Sequence, residues 1–270
     1  MSDARGKRTA PSIRAMKAAG EKIAALTAYD AMTARILDEA GVDVLLVGDS
    51  AAMVVLGYEN TLPVTLDAML VLTAAVARAK PRALVVGDMP FMSYQASVAD
   101  AVRSAGRMVK EGGAEAVKLE GGRKIAPTVR AVLDAGIPVM GHIGLTPQSI
   151  HELGGYRVQG KGDDAHARLL DDAAALEEAG CFSIVLEAMP WRLAADITAA
   201  VAVPTIGIGA GPHCDGQVLV VNDIVGYVAG PTPKFVRRYG DAKSVVAEAA
   251  RRFVGDVKGG DYPSLDESYS

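Results

Sequence analysis

Four stretches of this chain run from the end of a helix-like segment through a short apolar run to a carboxylate. Three turn on glycine: Glu39-Ala-Gly-Val-Asp-Val-Leu-Leu-Val-Gly-Asp49, Glu111-Gly-Gly-Ala-Glu-Ala-Val-Lys-Leu-Glu120 and Glu178-Ala-Gly-Cys-Phe-Ser-Ile-Val-Leu-Glu187. In the fourth, Ala79-Lys-Pro-Arg-Ala-Leu-Val-Val-Gly-Asp88, lysine and proline stand where the others have glycine. A fifth run, from Gly136 through Ile-Pro-Val-Met-Gly, ends at His142. Glycine just past a helix adopts the left-handed stop conformation. Short β-branched runs bounded in this way read as buried parallel strands. Parallel neighbours open their ends onto one mouth, so Asp49, Asp88, Glu120, His142 and Glu187 are expected to converge there.

The rest of the chain fits this pattern. Strands are predicted at Ile23 to Ala28, Val44 to Val47, Leu84 to Val86, Ala116 to Leu119, Val139 to Gly141, Ser183 to Leu186 and Thr205 to Ile208, with an eighth somewhere in Gln217 to Tyr227. Helical segments separate them. A short leading helix is expected over about 12–20, with Ser12 as its cap, and a final helix from Ala242 to about Val254 before a polar tail over about 256–270. Seven or eight alternations of β and α predict an α/β fold, a (β/α)8 TIM barrel, as a single domain over 1–270. The segment Ile143 to Asp163 is long and glycine-rich, the character of a lid or binding loop.

Bulk properties narrow the function classes. The net charge is −4 and the Lys and Arg residues are scattered, which gives no electrostatic support for nucleic acid or a membrane surface. Two cysteines form neither a disulfide framework nor a zinc-finger spacing, which fits a reducing, cytoplasmic setting. The basic start of the chain lacks the apolar stretch of a signal peptide, and no run is long enough to span a bilayer.

The strand ends carry the chemistry. Asp49 and Asp88 each end a Val-Gly-Asp run, and two carboxylates with water suit a hard cation such as Mg2+. Glu120 would complete that site or support it from behind. Lys118 lies two residues before Glu120, so both face the same way. A lysine inside a barrel needs an anion, whether a core carboxylate or a substrate carboxylate. His142 has no second histidine near it for a zinc site, and it reads equally as a hydrogen-bonding group toward substrate or as a structural one. Glu187 in apolar surroundings would suit proton abstraction. Gly207-Ile-Gly-Ala-Gly211 is not a dinucleotide fingerprint, and reads as a tight turn or an anion-binding loop.

At these residues the chain resembles the ketopantoate hydroxymethyltransferase family. The likeness is carried by Leu26-Thr-Ala-Tyr-Asp30, Leu46-Val-Gly-Asp-Ser50, Thr61-Leu-Pro-Val-Thr65, Gly87-Asp-Met-Pro-Phe91 and Val117-Lys-Leu-Glu-Gly-Gly122. It continues through Gly141-His-Ile-Gly-Leu-Thr-Pro-Gln148, Gly154-Gly-Tyr-Arg-Val-Gln-Gly160, Leu186-Glu187, Ile206-Gly-Ile-Gly-Ala-Gly211 and Asp215-Gly-Gln217. The resemblance implies a barrel like that of phosphoenolpyruvate mutase and isocitrate lyase. It implies transfer of a one-carbon unit from 5,10-methylenetetrahydrofolate to 3-methyl-2-oxobutanoate, giving 2-dehydropantoate, by Mg2+-stabilised enolate chemistry. It further implies Mg2+ on Asp49, Asp88 and Glu120, and the 2-oxo acid on Asp49, Ser50, Asp88 and Lys118. Glu187 would be the base, and the assembly a homodecamer. The family usually continues Gly-Asp-Ser with Leu-Gly-Met, where this chain has Ala51-Ala-Met53, so Ala52 is expected to strain a turn that prefers glycine. The alternative is a Mg2+-dependent 2-oxo-acid lyase or mutase of the phosphoenolpyruvate mutase type. Such lyases usually carry a lid cysteine, and no cysteine lies between Ser50 and Gly180.

Overall fold

Eight strands pair in sequence order, and the last returns to the first. The computed structural model describes residues 6–228, 230 and 232–270. The chain forms two compact units, the first ending at Val220 and the second beginning at Val221. The first unit opens with α1 (Ala10–Ala18), β1 (Ile23–Thr27), α2 (Ala31–Ala40), β2 (Val44–Val47), α3 (Ala51–Val54) and α4 (Leu66–Arg78). It continues with β3 (Leu84–Asp88), α5 (Val98–Lys110), β4 (Ala116–Glu120), α6 (Ala126–Asp134), β5 (Val139–Gly144) and α7 (Ile150–Leu153). It ends with α8 (Asp163–Ala179), β6 (Ser183–Glu187), α9 (Trp191–Ala200), β7 (Thr205–Ile208) and β8 (Gly216–Leu219). The second unit holds α10 (Val221–Ile224) and α11 (Ala242–Gly259). The sheet is a closed barrel, parallel throughout, in which Ile23 of β1 pairs with Gly216 of β8. This is the (β/α)8 architecture expected from the alternation.

Register decides which residues share the interior. Asp88 pairs with Lys118, Lys118 with Met140, Glu120 with His142, and Gly144 with Glu187. Partners in a parallel ladder face the same side, as do alternate residues along one strand. The inward positions therefore climb from apolar to ionic, as in Leu84, Val86, Asp88 and in Ala116, Lys118, Glu120. The lower layers form one core, in which Ile23, Ala25, Val44, Leu46, Met140 and Ile206 pack with Ala10, Ile13 and Met16 of α1. Helix α1 thereby closes the strand-start end and leaves the other end for chemistry.

The turns explain the repeated pattern. Gly41, Gly113 and Gly180 take positive φ of 97°, 70° and 106°, and in the fourth run Lys80 takes the same left-handed conformation at φ 53°. A lysine there does a glycine's work at the expense of some strain.

Several local expectations shift. Helix α1 begins at Ala10, capped by Thr9, because Ser12 is the reciprocal partner in a capping box rather than the cap itself. Strand β8 lies at the start of its predicted window, β5 continues past His142 to Gly144, and α11 takes in the first residues of the predicted polar tail. Ala52 lies in the right-handed helical turn α3 and is fully buried, and it is not among the positive-φ residues, so the expected strain is absent.

Candidate active site

All five strand-end groups meet at the C-terminal mouth of the barrel. The pairing of β3 with β4 sets Lys118 Nζ 2.9 Å from Asp88 Oδ1, and the spacing along β4 leaves it 3.7 Å from Glu120 Oε1. His142 lies across β5: its Nδ1 is 3.1 Å from Lys118 Nζ and 3.4 Å from Glu120 Oε1. Its Nε2 is 3.1 Å from Glu187 Oε2. Asp49, one strand further round, joins through its backbone, whose N–H donates to Asp88 Oδ2 at 3.1 Å. Ser50 stands just beyond it, its hydroxyl 2.9 Å from that of Tyr29. Glu187 meets the imidazole of His142.

The backbone behind Glu187 is held tightly. Leu145 N–H donates to the Glu187 carbonyl, Ala188 N–H to the Ile208 carbonyl, and Gln159 N–H to the Ala188 carbonyl, each at 2.9 Å. Ala188 takes φ 45°, a strained conformation for alanine that three neighbouring hydrogen bonds keep in place. The long β5–α8 connection is therefore pinned to the strand that carries Glu187.

Burial and charge act together here. The side chains of Asp88, Glu120, His142 and Lys118 are 2–5% exposed, whereas that of Glu187 is 16% exposed. Burial pushes the Asp49 carboxyl well above the usual carboxylate range, and the charges of Asp88 and Glu120 add to the rise. Asp88 is also raised by burial, partly offset by Lys118. For Glu120 burial acts upward, but Lys118 and His142 outweigh it and the carboxyl is lowered. Burial acts to lower Lys118, yet Asp88, Glu120 and Asp49 outweigh it and hold it above the ordinary lysine value. Burial and Lys118 both push His142 down, but its contacts with Glu120 and Glu187 prevail and raise it to about 9. A lysine ammonium can donate to Nδ1 only when that nitrogen holds a lone pair. Nδ1 lies between the Lys118 ammonium and Glu120 Oε1, and Nε2 faces Glu187 Oε2.

A divalent cation fits this donor set. Glu120 Oε1 is buried with no hydrogen-bond partner, and Asp88 Oδ1 is buried against the Lys118 ammonium at 2.9 Å. Among the described residues, no three or more His, Cys, Asp or Glu side chains form a ready-made metal cage. Mg2+ needs none, since it binds through one or two carboxylates and fills its octahedron with water and ligand oxygens.

Two contributors escaped the sequence reading. Gln148, in the loop after β5, donates from Nε2 to Asp49 Oδ2 at 3.0 Å and to the Met89 carbonyl at 2.9 Å. Its backbone N–H donates to Glu120 Oε2 at 3.0 Å. Buried Tyr94 donates to Gln148 Oε1 at 2.8 Å and accepts from Glu120 N–H at 3.0 Å. Gln148 closes the quoted segment Gly141 to Gln148, so a signal existed for it. For Tyr94 there was none. Arg157 and Lys161 are exposed on the same connection. No helix among the described residues is long and apolar enough to cross a membrane.

Known proteins bear on this arrangement. The barrel resembles solved structures at low identity, which speaks to fold alone. One is 2,3-dimethylmalate lyase, a PEP mutase/isocitrate lyase superfamily member (TM-score 0.61, 19% identity, 97% of this chain and 91% of that one). Another is phosphoenolpyruvate phosphomutase from Streptomyces platensis subsp. rosaceus (TM-score 0.62, 15% identity, 94% and 88%). In sequence the chain is 58% identical over 264 residues to 3-methyl-2-oxobutanoate hydroxymethyltransferase of Geobacter metallireducens, covering 98% of this chain and 99% of that one. It is 62% identical over 246 residues to the protein of that name from Acidothermus cellulolyticus, covering 91% and 90%. The family model described as ketopantoate hydroxymethyltransferase matches residues 7–265. With that match spanning nearly the whole length, the chain belongs to the ketopantoate hydroxymethyltransferase family.

Proposed function

We propose that this enzyme transfers a one-carbon unit from 5,10-methylenetetrahydrofolate to carbon three of 3-methyl-2-oxobutanoate, giving 2-dehydropantoate, with Mg2+ as the metal. The observation that carries the assignment of roles is the contrast in accessibility. Four ionic groups are sealed at the mouth, and Glu187 alone among the acids on β3, β4 and β6 reaches outward to meet a bound molecule.

Asp49 and Asp88 would hold the ion, with Glu120 completing or supporting the site. A divalent ion held there would supply Lewis-acid polarisation of the 2-oxo acid and so make the proton on carbon three easier to remove. Ser50, Asp49, Asp88 and Lys118 line the place of the 2-oxo acid, and the Lys118 ammonium balances the substrate carboxylate. Glu187 takes the proton from carbon three, and His142 orients it from Nε2. The carbon so freed bonds to the donor's methylene carbon. One of the two bonds from that methylene carbon to nitrogen breaks as the carbon–carbon bond forms, water then displaces the second nitrogen to leave the hydroxyl, and tetrahydrofolate departs with both nitrogens protonated. Arg157 and Lys161 on the β5–α8 connection attract the acidic tail of the donor. A cytoplasmic setting and a homodecameric assembly, both drawn from the family resemblance and the composition, complete the proposal.

The test omits the folate. NMR would follow solvent deuterium entering carbon three of 3-methyl-2-oxobutanoate, with and without Mg2+. The wild type is expected to exchange only with metal, and Glu187→Gln to slow that exchange by about 10²–10⁴-fold, the range of a lost general base. No exchange by the wild type with any divalent ion would sink the assignment.

A further inference from the structure

Gln148 has every hydrogen-bonding position of its side chain filled inside the barrel mouth. Its two N–H groups face two acceptors, Asp49 Oδ2 at 3.0 Å and the Met89 carbonyl at 2.9 Å. Its Oε1 receives the Tyr94 hydroxyl at 2.8 Å and Gln95 Nε2 at 2.9 Å. The Tyr94 hydroxyl accepts from Glu120 N–H at 3.0 Å, and its proton lies nearer Gln148 Oε1 than the Glu120 carbonyl at 3.2 Å. Turning the amide over would set N–H against N–H and oxygen against two oxygens, so only one orientation is tenable. The backbone of the same residue donates to Glu120 Oε2 at 3.0 Å. One loop residue therefore ties the carboxylate at the end of β2 to the carboxylate at the end of β4, across the carbonyl that follows β3.

We infer that Gln148 is a positioning residue that sets the affinity of the mouth for a divalent cation, acting through Asp49 and Glu120. The inference rests on the proposed Mg2+ site. By occupying Asp49 Oδ2 and Glu120 Oε2, Gln148 fixes the rotation of both carboxylates and thus where their remaining oxygens point. Glu120 Oε1, one of those remaining, is buried and has no hydrogen-bond partner. Partners that orient metal-binding carboxylates commonly set affinity 10–100-fold.

Mn2+ serves as the probe, its free concentration read by electron paramagnetic resonance without substrate. The wild type is expected to bind Mn2+. Gln148→Met, close in length but without polar atoms, is expected to bind about 10–100-fold more weakly. Its turnover should recover as the metal concentration rises, which a merely damaged fold would not do. Gln148→Met affinity within twofold of the wild type would overturn the inference. Should that variant fail to fold, Gln95→Met decides instead: Gln95 is exposed and holds only the far side of the amide. A few-fold loss of Mn2+ affinity supports the inference, and unchanged affinity refutes it. A wild type that binds no Mn2+ would overturn the ion site itself, a result separable from failure at Gln148 alone.

Discussion

Lys118 faces three carboxylates in a region that water scarcely reaches, and its loss is the sharpest single change the mouth can suffer. Removing one partner of a buried ion pair leaves uncompensated charge, a loss of about 3–5 kcal/mol. Lys118→Met is expected to show that loss in urea unfolding at pH 7.5. Asp88 and Asp49 already sit above their unfolded values through burial, and loss of the ammonium raises them further. A carboxyl raised on folding is harmless below its unfolded value, near 3.9, and destabilises as pH climbs through the folded value. The deficit of Lys118→Met relative to wild type should therefore be small near pH 4 and grow toward neutrality. A deficit that stayed flat over that range would argue against the charge account.

Among the elements, the β5–β6 pair ties backbone register to chemistry. Gly144 ends β5 opposite Glu187, at φ 97°, and a Cβ there would lie 2.3 Å from the Glu187 carbonyl oxygen and 2.9 Å from Met189 Cε. Gly144→Ala must displace the backbone of the proposed base. A shift of about 1 Å at a catalytic group lowers turnover by the order of 10²-fold, so the steady-state rate should fall that far, with the helical circular dichroism unchanged. The elements themselves were largely legible in the sequence. A β-branched run between a left-handed stop and a carboxylate is a local signal, and it located β2, β4 and β6 along with Asp49, Glu120 and Glu187. Where no local signal exists, the reading failed or blurred. Thr9 and Ser12 compete as caps, and only the reciprocal hydrogen bonds identify Thr9. Strand β8 is four residues long and begins with a glycine, too short to show a period. Tyr94 lies on a loop, where side-chain identity does not say which distant group it will meet, and the segment that ends at Gln148 did not say that its amide would reach Asp49.

At the scale of the whole barrel unit, stability and chemistry occupy opposite ends. Ile13 of α1 is fully buried in the apolar core beneath the ionic layers. Ile13→Ala is expected to lower unfolding free energy by about 2–5 kcal/mol while leaving turnover at 25 °C within twofold. Loss of activity in step with stability would show that the two ends are coupled. Closure of the barrel has a consequence for how the chain is made. Its last seam joins Ile23 to Gly216 and Leu26 to Leu219, the first strand to leave the ribosome and the last. At roughly 5–20 residues per second, β1 waits on the order of 10–40 s with one edge bare. For that interval the nascent chain carries an unpaired strand edge, a template on which a neighbouring chain can pair.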